Sequence, residues 1–492
     1  MNYPALFFWV LLLWSVTASP STLLLLLFVS MPFASLALVP PDMVGGMSLL
    51  PQLMFAVILI VKVNIPKLLP PSPKLTDALQ LRNQGYLALF LIVGLVTTAI
   101  APRLFLGEVV VMPMRLSSAP DVLAPVMSNI TQSGYVTLSV MTVLAVALMA
   151  DEPRFEDTLL KSVLAGGIVC IATGLIDLAA SITGTETLLE PFRNAAYAYI
   201  TTAELGGVRR VVGFTPEASA YGPICVQFAT VALLLRPLYA EGRQRFLATI
   251  VIIGLLGMAL LSTSSTAYAG LALLGVIYVA NWIRRAFFPT PLGQNGLLGE
   301  LLAGLGLLIA LVLIMIVSAQ IFDPLLNLVQ EVVFNKPTSS SFVERSHWNE
   351  VAWMAVASTW GLGVGFGSTR ASSWFVAVIS NTGVIGAACM AIFLVQTFLR
   401  RATSPNRMSS EMLPALKLSL LPALAMASLN QPGPDFGLWM AVMFGAISGV
   451  AALRPRHSST KHARPRSAIS VPAAGHKTAS GQAFGWPASR YP

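Results

Sequence analysis

The chain has 492 residues, of which 55% are apolar and only 10% charged, with 30 Lys and Arg against 21 Asp and Glu. An ordinary soluble domain carries roughly 25% charged residues, so this composition, with a mean hydropathy of +0.75, excludes a soluble globular protein. The net charge of +9 does not point to nucleic acid, because the basic residues stand between apolar runs instead of clustering on one face.

In chain order, apolar runs fall at 6–19, 22–39, 47–61, 84–105, 135–150, 162–182, 222–239, 246–261, 267–282, 301–317, 374–399, 413–429 and 436–453. A bilayer-crossing helix needs about 20 mostly apolar residues, so these runs predict about 12 or 13 membrane helices. The expected fold is an all-α polytopic transmembrane bundle over residues 1–453. Pro20 leaves the first two runs open to either of two readings, two short helices or one span with an interfacial piece. No basic leader or small-residue cleavage signal precedes the first run, so that run is expected to direct insertion itself. Cys170, Cys225 and Cys389 lie singly in apolar runs and read as small core residues.

Lys and Arg favour the cytoplasmic side of a membrane. If segments 67–82, 154–161, 243–245, 284–285 and 400–407 are cytoplasmic, only eight of the 30 basic residues face outward: Arg103, Arg115, Arg193, Arg209, Arg210, Lys336, Arg345 and Arg370. The alternation puts the C-terminus inside, and from 454 to 492 a basic stretch rich in Pro, Ser and Ala reads as a disordered cytoplasmic tail. It also leaves two long outward segments, 183–221 and 322–373. Long connections in compact proteins tend to be functional or disordered. The aromatics Tyr197, Tyr199 and Phe214 in the first, and Phe334, Phe342, Trp348, Trp353, Trp360 and Phe366 in the second, predict packed segments that carry the site.

In the first segment Arg209-Arg210-Val211-Val212-Gly213-Phe214-Thr215-Pro216-Glu217-Ala218-Ser219-Ala220-Tyr221-Gly222 enters a membrane helix, with Thr215 expected at the N-cap, Pro216 in the first turn and Glu217 at the favourable end of the dipole. Two arginines beside a helix start suit an anionic phosphate. They suit lipid headgroups equally well, by snorkelling. In the second segment Glu344-Arg345-Ser346-His347-Trp348-Asn349-Glu350 precedes Gly361-Leu362-Gly363-Val364-Gly365-Phe366-Gly367-Ser368-Thr369-Arg370. Glycine at every second position suits a backbone that a ligand approaches closely, although the spacing is neither a dinucleotide fingerprint nor a P-loop.

His347, the only histidine before the tail, suits a general base on a sugar hydroxyl, or an ordinary interfacial hydrogen bonder. Glu344, Glu350 and Asp323 show no metal-ligand spacing, so no metal is expected. Ser262-Thr263-Ser264-Ser265-Thr266 forms a polar turn that either lines the site or satisfies helix ends. Asp177 is the clearest ionisable residue inside an apolar run, a candidate for an ion path or for an interfacial contact.

The Arg209–Ser219 motif, the Ser/Thr turn, and Arg345-Ser346-His347-Trp348 followed by the glycine run and by Asn381-Thr382-Gly383-Val384-Ile385-Gly386 together resemble the O-antigen polymerase and ligase superfamily. Within it the pattern is most similar to Wzy-type exopolysaccharide polymerases, over roughly residues 135–453 in order of features. Ser262–Thr266 departs from the Ser-Arg frequent at that turn in the family.

The resemblance implies a glycosyltransferase that moves glycan from an undecaprenyl pyrophosphate carrier to the hydroxyl of another lipid-linked repeat at the periplasmic face of a bacterial inner membrane, using no nucleotide sugar, cofactor or metal. It implies Arg210 and Arg345, assisted by Arg209, as a pyrophosphate clamp. It implies His347 as base with Glu217 as the alternative, Tyr221 and Trp348 as sugar-stacking aromatics, and Gly363, Gly365, Gly367 and Arg370 at the substrate. A chain-length regulator and a flippase would be partners. A ligase transferring glycan to lipid A core or protein is the nearest alternative. A transporter or flippase would instead show repeats, broken helices and paired charges at mid-membrane.

Overall fold

The computed structural model describes residues 3–68, 70–114, 119–152, 154–196, 199–201, 204–205, 208–287, 297–299, 301–302, 305, 340–403 and 407–452. Most of the expected span at 301–317, the tail from 454 onward, Tyr197, Arg115, and Asp323, Phe334 and Lys336 of the second long segment lie outside the described residues.

The chain is an all-α bundle. Its helices are α1 (Tyr3–Ser15), α2 (Pro20–Ser30), α3 (Pro51–Leu68), α4 (Pro73–Ala78), α5 (Tyr86–Leu104), α6 (Met127–Met149), α7 (Phe155–Thr183), α8 (Ala218–Leu234), α9 (Arg243–Leu261), α10 (Ser265–Phe287), α11 (Ser340–Ser358), α12 (Trp374–Leu399), α13 (Arg407–Asn430) and α14 (Gly437–Ala452). Among the described residues eight helices are long and apolar enough to cross a membrane, and α1, α2, α8 and α14 are shorter apolar helices. The protein is therefore a multi-pass membrane protein. Pro20 opens α2 at its first turn, where a missing N–H costs nothing, and Ser19 caps it by accepting from the Thr22 N–H at 3.2 Å. The first two apolar runs are thus two short helices.

Two-residue hairpins join Val110–Val111 to Asp121–Val122 and Glu204–Leu205 to Val208–Arg209, neither foreseen from the apolar pattern.

α14 is the central helix, buried from Leu438 through Ala451. Its glycines let α6 come close: a Cβ on Gly445 would stand 2.7 Å from the Val143 carbonyl, and one on Gly449 2.8 Å from that of Ala147. Small residues at such contacts replace the hydrophobic drive that is missing between helices in lipid. At its start Trp439 meets the edges of Phe228 and Phe28, with ring centroids 4.8 and 5.6 Å away.

The bundle has two chemically distinct ends. At one, basic side chains tie short connections together: Lys74 pairs with Asp151 at 2.5 Å, and Arg400 donates to the Asn83 carbonyl. At the other, both long segments meet the remaining connections. The Ser35 N–H donates to the Phe214 carbonyl, that of Val211 to Leu261, that of Arg370 to Met112, and that of Ala371 to Pro432.

Candidate functional site

The first long segment is built around a buried carboxylate. Asp177, in the last turns of α7, has a side chain only 2% exposed. Its Oδ1 accepts from Arg193 Nη2 at 2.8 Å, and its Oδ2 accepts from the backbone N–H groups of Val212 at 2.9 Å and Gly213 at 3.2 Å. Arg193 also donates to the Gly213 carbonyl at 3.2 Å. A buried carboxylate with this many donors ties the segment to α7 and is not the interfacial contact considered from sequence.

Arg210 lies two residues before that anchor. The next residue, Val211, donates its N–H to the Leu261 carbonyl at 3.2 Å, and Arg210 Nε reaches the Ser262 carbonyl at 3.4 Å. The Ser262–Thr266 turn, with Ser262, Thr263 and Ser264 buried, therefore braces the arginine from behind. Burial lowers the Arg210 pKa most; Glu217 and then Tyr268 raise it, and Arg345 lowers it again. A guanidinium stays charged through such shifts. These influences bring Arg210, Glu217, Tyr268 and Arg345 into one electrostatic neighbourhood.

The arginines of this segment differ in their partners. Arg193 is paired with Asp177, and Arg209 is paired with Glu186. Arg210 has no carboxylate at ion-pair distance among the described residues. The expectation that Arg209 assists a phosphate clamp is corrected accordingly, since Glu186 already neutralises it.

The helix entry also differs from the sequence reading. α8 begins at Ala218 with Glu217 in the N-cap position, two residues later than expected. Thr215 does not cap the helix, because its hydroxyl donates to the Val212 carbonyl at 2.8 Å and the Glu217 carbonyl at 3.0 Å. The Glu217 carboxylate accepts from the Ser219 hydroxyl. Asn430, at the end of α13, donates to both the carbonyl and the hydroxyl oxygen of Ser219 at 3.2 Å. Tyr221 is fully buried and donates its hydroxyl to the Cys170 carbonyl at 2.8 Å, so it packs α8 onto α7 and is not available to stack on a sugar.

In the second segment α11 presents Arg345, His347 and Trp348. Two residues along a helix turn about 200°, so Arg345 and His347 point to opposite sides. Arg345 and Trp348 share the side that continues into buried Ala352 and Ala355, whereas His347 shares the exposed side with Glu350, 3.7 Å from its Nδ1. Arg345 thus influences Arg210 electrostatically, whereas the expected base His347 stands on the far face of its helix. One face of Trp348 is covered by Arg370, whose guanidinium carbon sits 3.9 Å from the ring centroid. Burial pushes the Arg370 pKa down and Glu344 opposes it. Asn349 Oδ1 holds the Ser372 N–H at 2.8 Å, fixing α11 against this stretch.

The glycine run has a structural role. Gly361, Gly363, Gly365 and Gly367 all have positive φ, which glycine alone adopts without strain. Inside α12, Gly383 breaks the helix at φ +69°. The carbonyls released there are taken up by the run: Val364 N–H donates to Ser380 and Gly365 N–H to Asn381, both at 2.9 Å. The Asn381 side chain accepts from Gly367 N–H at 3.0 Å and donates to the Thr369 carbonyl at 3.0 Å. A Cβ at Gly363 would strike the backbone of Gly383, one at Gly365 would lie 2.7 Å from Thr98 Cα, and one at Gly367 would strike the Ser128 carbonyl. The expected substrate contact at Gly363, Gly365 and Gly367 is therefore corrected: the space they leave is filled by the chain's own backbone. Irregular backbone in a membrane protein needs such internal partners.

Sequence reasoning missed Tyr268, Ser219, Asn430 and the Arg193–Asp177 pair. Asn430, the last residue of α13, and Pro432, in the short connection to α14, touch both long segments, through Ser219 and through Ala371. The length of that connection gave no signal. Among the described residues no group of three or more His, Cys, Asp or Glu side chains is placed to hold a metal ion.

Comparison of the chain with protein-family models, with curated proteins and with solved structures finds no match.

Proposed function

We propose that the protein polymerises lipid-linked glycan, transferring the sugar chain from an undecaprenyl pyrophosphate carrier to a hydroxyl of another lipid-linked repeat on the outer face of a bacterial inner membrane. One observation carries the reading. Arg210, braced from two sides and without a carboxylate partner among the described residues, shares an electrostatic neighbourhood with Arg345 from the other long segment. Two cations brought together repel each other, Glu217 offsets this only in part, and an anion between them relieves it further. A pyrophosphate headgroup is such an anion, and guanidinium forks match its oxygens. The basic character of the opposite end supports an outward-facing site, and the motif resemblance supports the substrate class.

In the proposed reaction the acceptor hydroxyl oxygen attacks the anomeric carbon. The bond from that carbon to the pyrophosphate oxygen breaks, and its electron pair leaves with the lipid pyrophosphate. Arg210 and Arg345 stabilise the charge that grows there. The hydroxyl proton goes to Glu217, the carboxylate whose charge acts on Arg210, with Ser219 and Asn430 orienting it. His347, on the other face of α11, is assigned no proton transfer. The Arg370–Trp348 pair walls the same end of the bundle. The transporter reading loses support because Asp177, the buried carboxylate it would use, is consumed by Arg193 and two backbone donors.

The test is polymer formation in cells carrying Arg210→Ala or Arg345→Ala. Inserted protein with accumulation of single lipid-linked repeats supports the proposal, and normal polymer in both variants rejects it.

A further inference from the structure

We infer that Asp177 is a positioning residue for Arg210, fixing the irregular backbone that presents this guanidinium to an anionic lipid headgroup. The inference rests on the reading of Arg210 as a headgroup ligand and adds a residue that never touches the substrate. The geometry is specific. The two N–H groups that Asp177 Oδ2 accepts belong to Val212 and Gly213, immediately after the Arg210-Val211 pair. Arg193 closes the same turn from the other polarity by donating to the Gly213 carbonyl.

The turn itself requires glycine. Gly213 has φ +53°, and a Cβ there would lie 2.7 Å from the Tyr221 ring. Upstream, the Val211 N–H is fixed to Leu261. Arg210 thus directly precedes two successive anchors, one on α9 through Val211 and one on α7 through Val212 and Gly213. Loss of the second anchor would let the guanidinium swing while leaving it chemically intact.

A buried ion pair of this kind is weak evidence for stability, because desolvation of the two charges offsets their attraction. Apolar residues of similar size would serve the core as well. What they could not supply is acceptors aimed at two successive backbone N–H groups. The carboxylate is needed at this depth because one oxygen must serve Val212 and Gly213 together while the other holds Arg193. An amide in its place keeps a single acceptor oxygen and brings a donor to the other position, facing the Arg193 donors or the backbone N–H groups.

The test uses the full chain in lipid nanodiscs, with undecaprenyl pyrophosphate as probe and undecaprenol as the uncharged control. Asp177→Asn is expected to weaken binding of the pyrophosphate lipid about tenfold, the scale of one lost hydrogen bond to a charged group, and to leave undecaprenol binding unchanged. In an Arg210→Ala background the same substitution should add no further loss, since it acts through the missing guanidinium. Equal weakening for both lipids, or a further loss in the Arg210→Ala background, would make Asp177 a merely structural residue and overturn the inference. Should Asp177→Asn not fold, Asp177→Glu keeps the charge but displaces the oxygens by one methylene; loss of the pyrophosphate preference supports the inference and wild-type preference overturns it. Arg210→Ala binding like the wild type would remove the headgroup reading, and this inference with it. Weak binding by Arg210→Ala with wild-type binding by Asp177→Asn removes the positioning role alone.

Discussion

The two long segments at the site end offer their cations in opposite ways. Arg210 sits on irregular backbone tied by Asp177 and Leu261, with the surrounding Val211, Val212, Gly213 and Phe214 buried. Arg345 stands on a regular helix that is anchored by its far end, through buried Val351, Ala352 and Ala355, and whose Glu344, Ser346 and His347 are exposed. A helix fixes direction by its own hydrogen bonds, so Arg345 needs few tertiary contacts. A loop has none to spare and must borrow them. Substitutions around Arg210 therefore propagate, whereas those around Arg345 act one side chain at a time.

The contrast can be broken first at the cations. Arg210→Ala is expected to reduce polymer formation by about 10²–10³-fold, the scale of one lost charge-stabilising donor, measured as conversion of single repeats to polymer in isolated membranes. Glu217→Gln should cost about 10²-fold, the lower range for a general base. His347→Ala should keep activity within about threefold of wild type in the same assay, as a side chain on the solvent face of its helix. A His347→Ala loss as large as that of Glu217→Gln would reverse this assignment and mean that α11 turns differently when substrate is bound. Gly365→Ala sharpens the structural half. Positive φ plus a 2.7 Å approach to Thr98 Cα should destabilise the fold by about 2–3 kcal/mol, seen as a lower unfolding temperature in detergent. The smallest effect is expected at Arg209, where Glu186 already neutralises the guanidinium. Arg209→Ala should change polymer yield by less than about threefold, as for a half-buried ion pair at the protein surface.

Hydropathy made the membrane helices legible, because the bilayer demands long, mostly apolar runs. α12 follows the apolar run at 374–399, and α9 ends with the run at 261. The short α8 and α14 were equally visible. Their burial was not, since apolar residues facing lipid and facing protein read alike.

At the site, residue type pointed to Arg210, Arg345 and Glu217 but could not show which arginine was already paired. Arg209 and Arg210 are adjacent, and only tertiary structure gives Glu186 to the first and leaves the second without a carboxylate among the described residues. The glycine run was read as a ligand cradle because glycine allows close approach by anything. Its actual occupant, the broken backbone at Gly383, comes from the helix that follows it. Tyr221 failed for a related reason, as an aromatic at a helix entry reads as exposed until a carbonyl such as that of Cys170 claims its hydroxyl.

The central claim, that Arg210 and Arg345 converge on one pyrophosphate, is tested most directly by an experimental structure of the full chain in nanodiscs with undecaprenyl pyrophosphate bound. Headgroup density is expected within hydrogen-bonding distance of both guanidinium groups. Density at the opposite, basic end of the bundle, or beside only one of the two arginines with the other turned away, would contradict it.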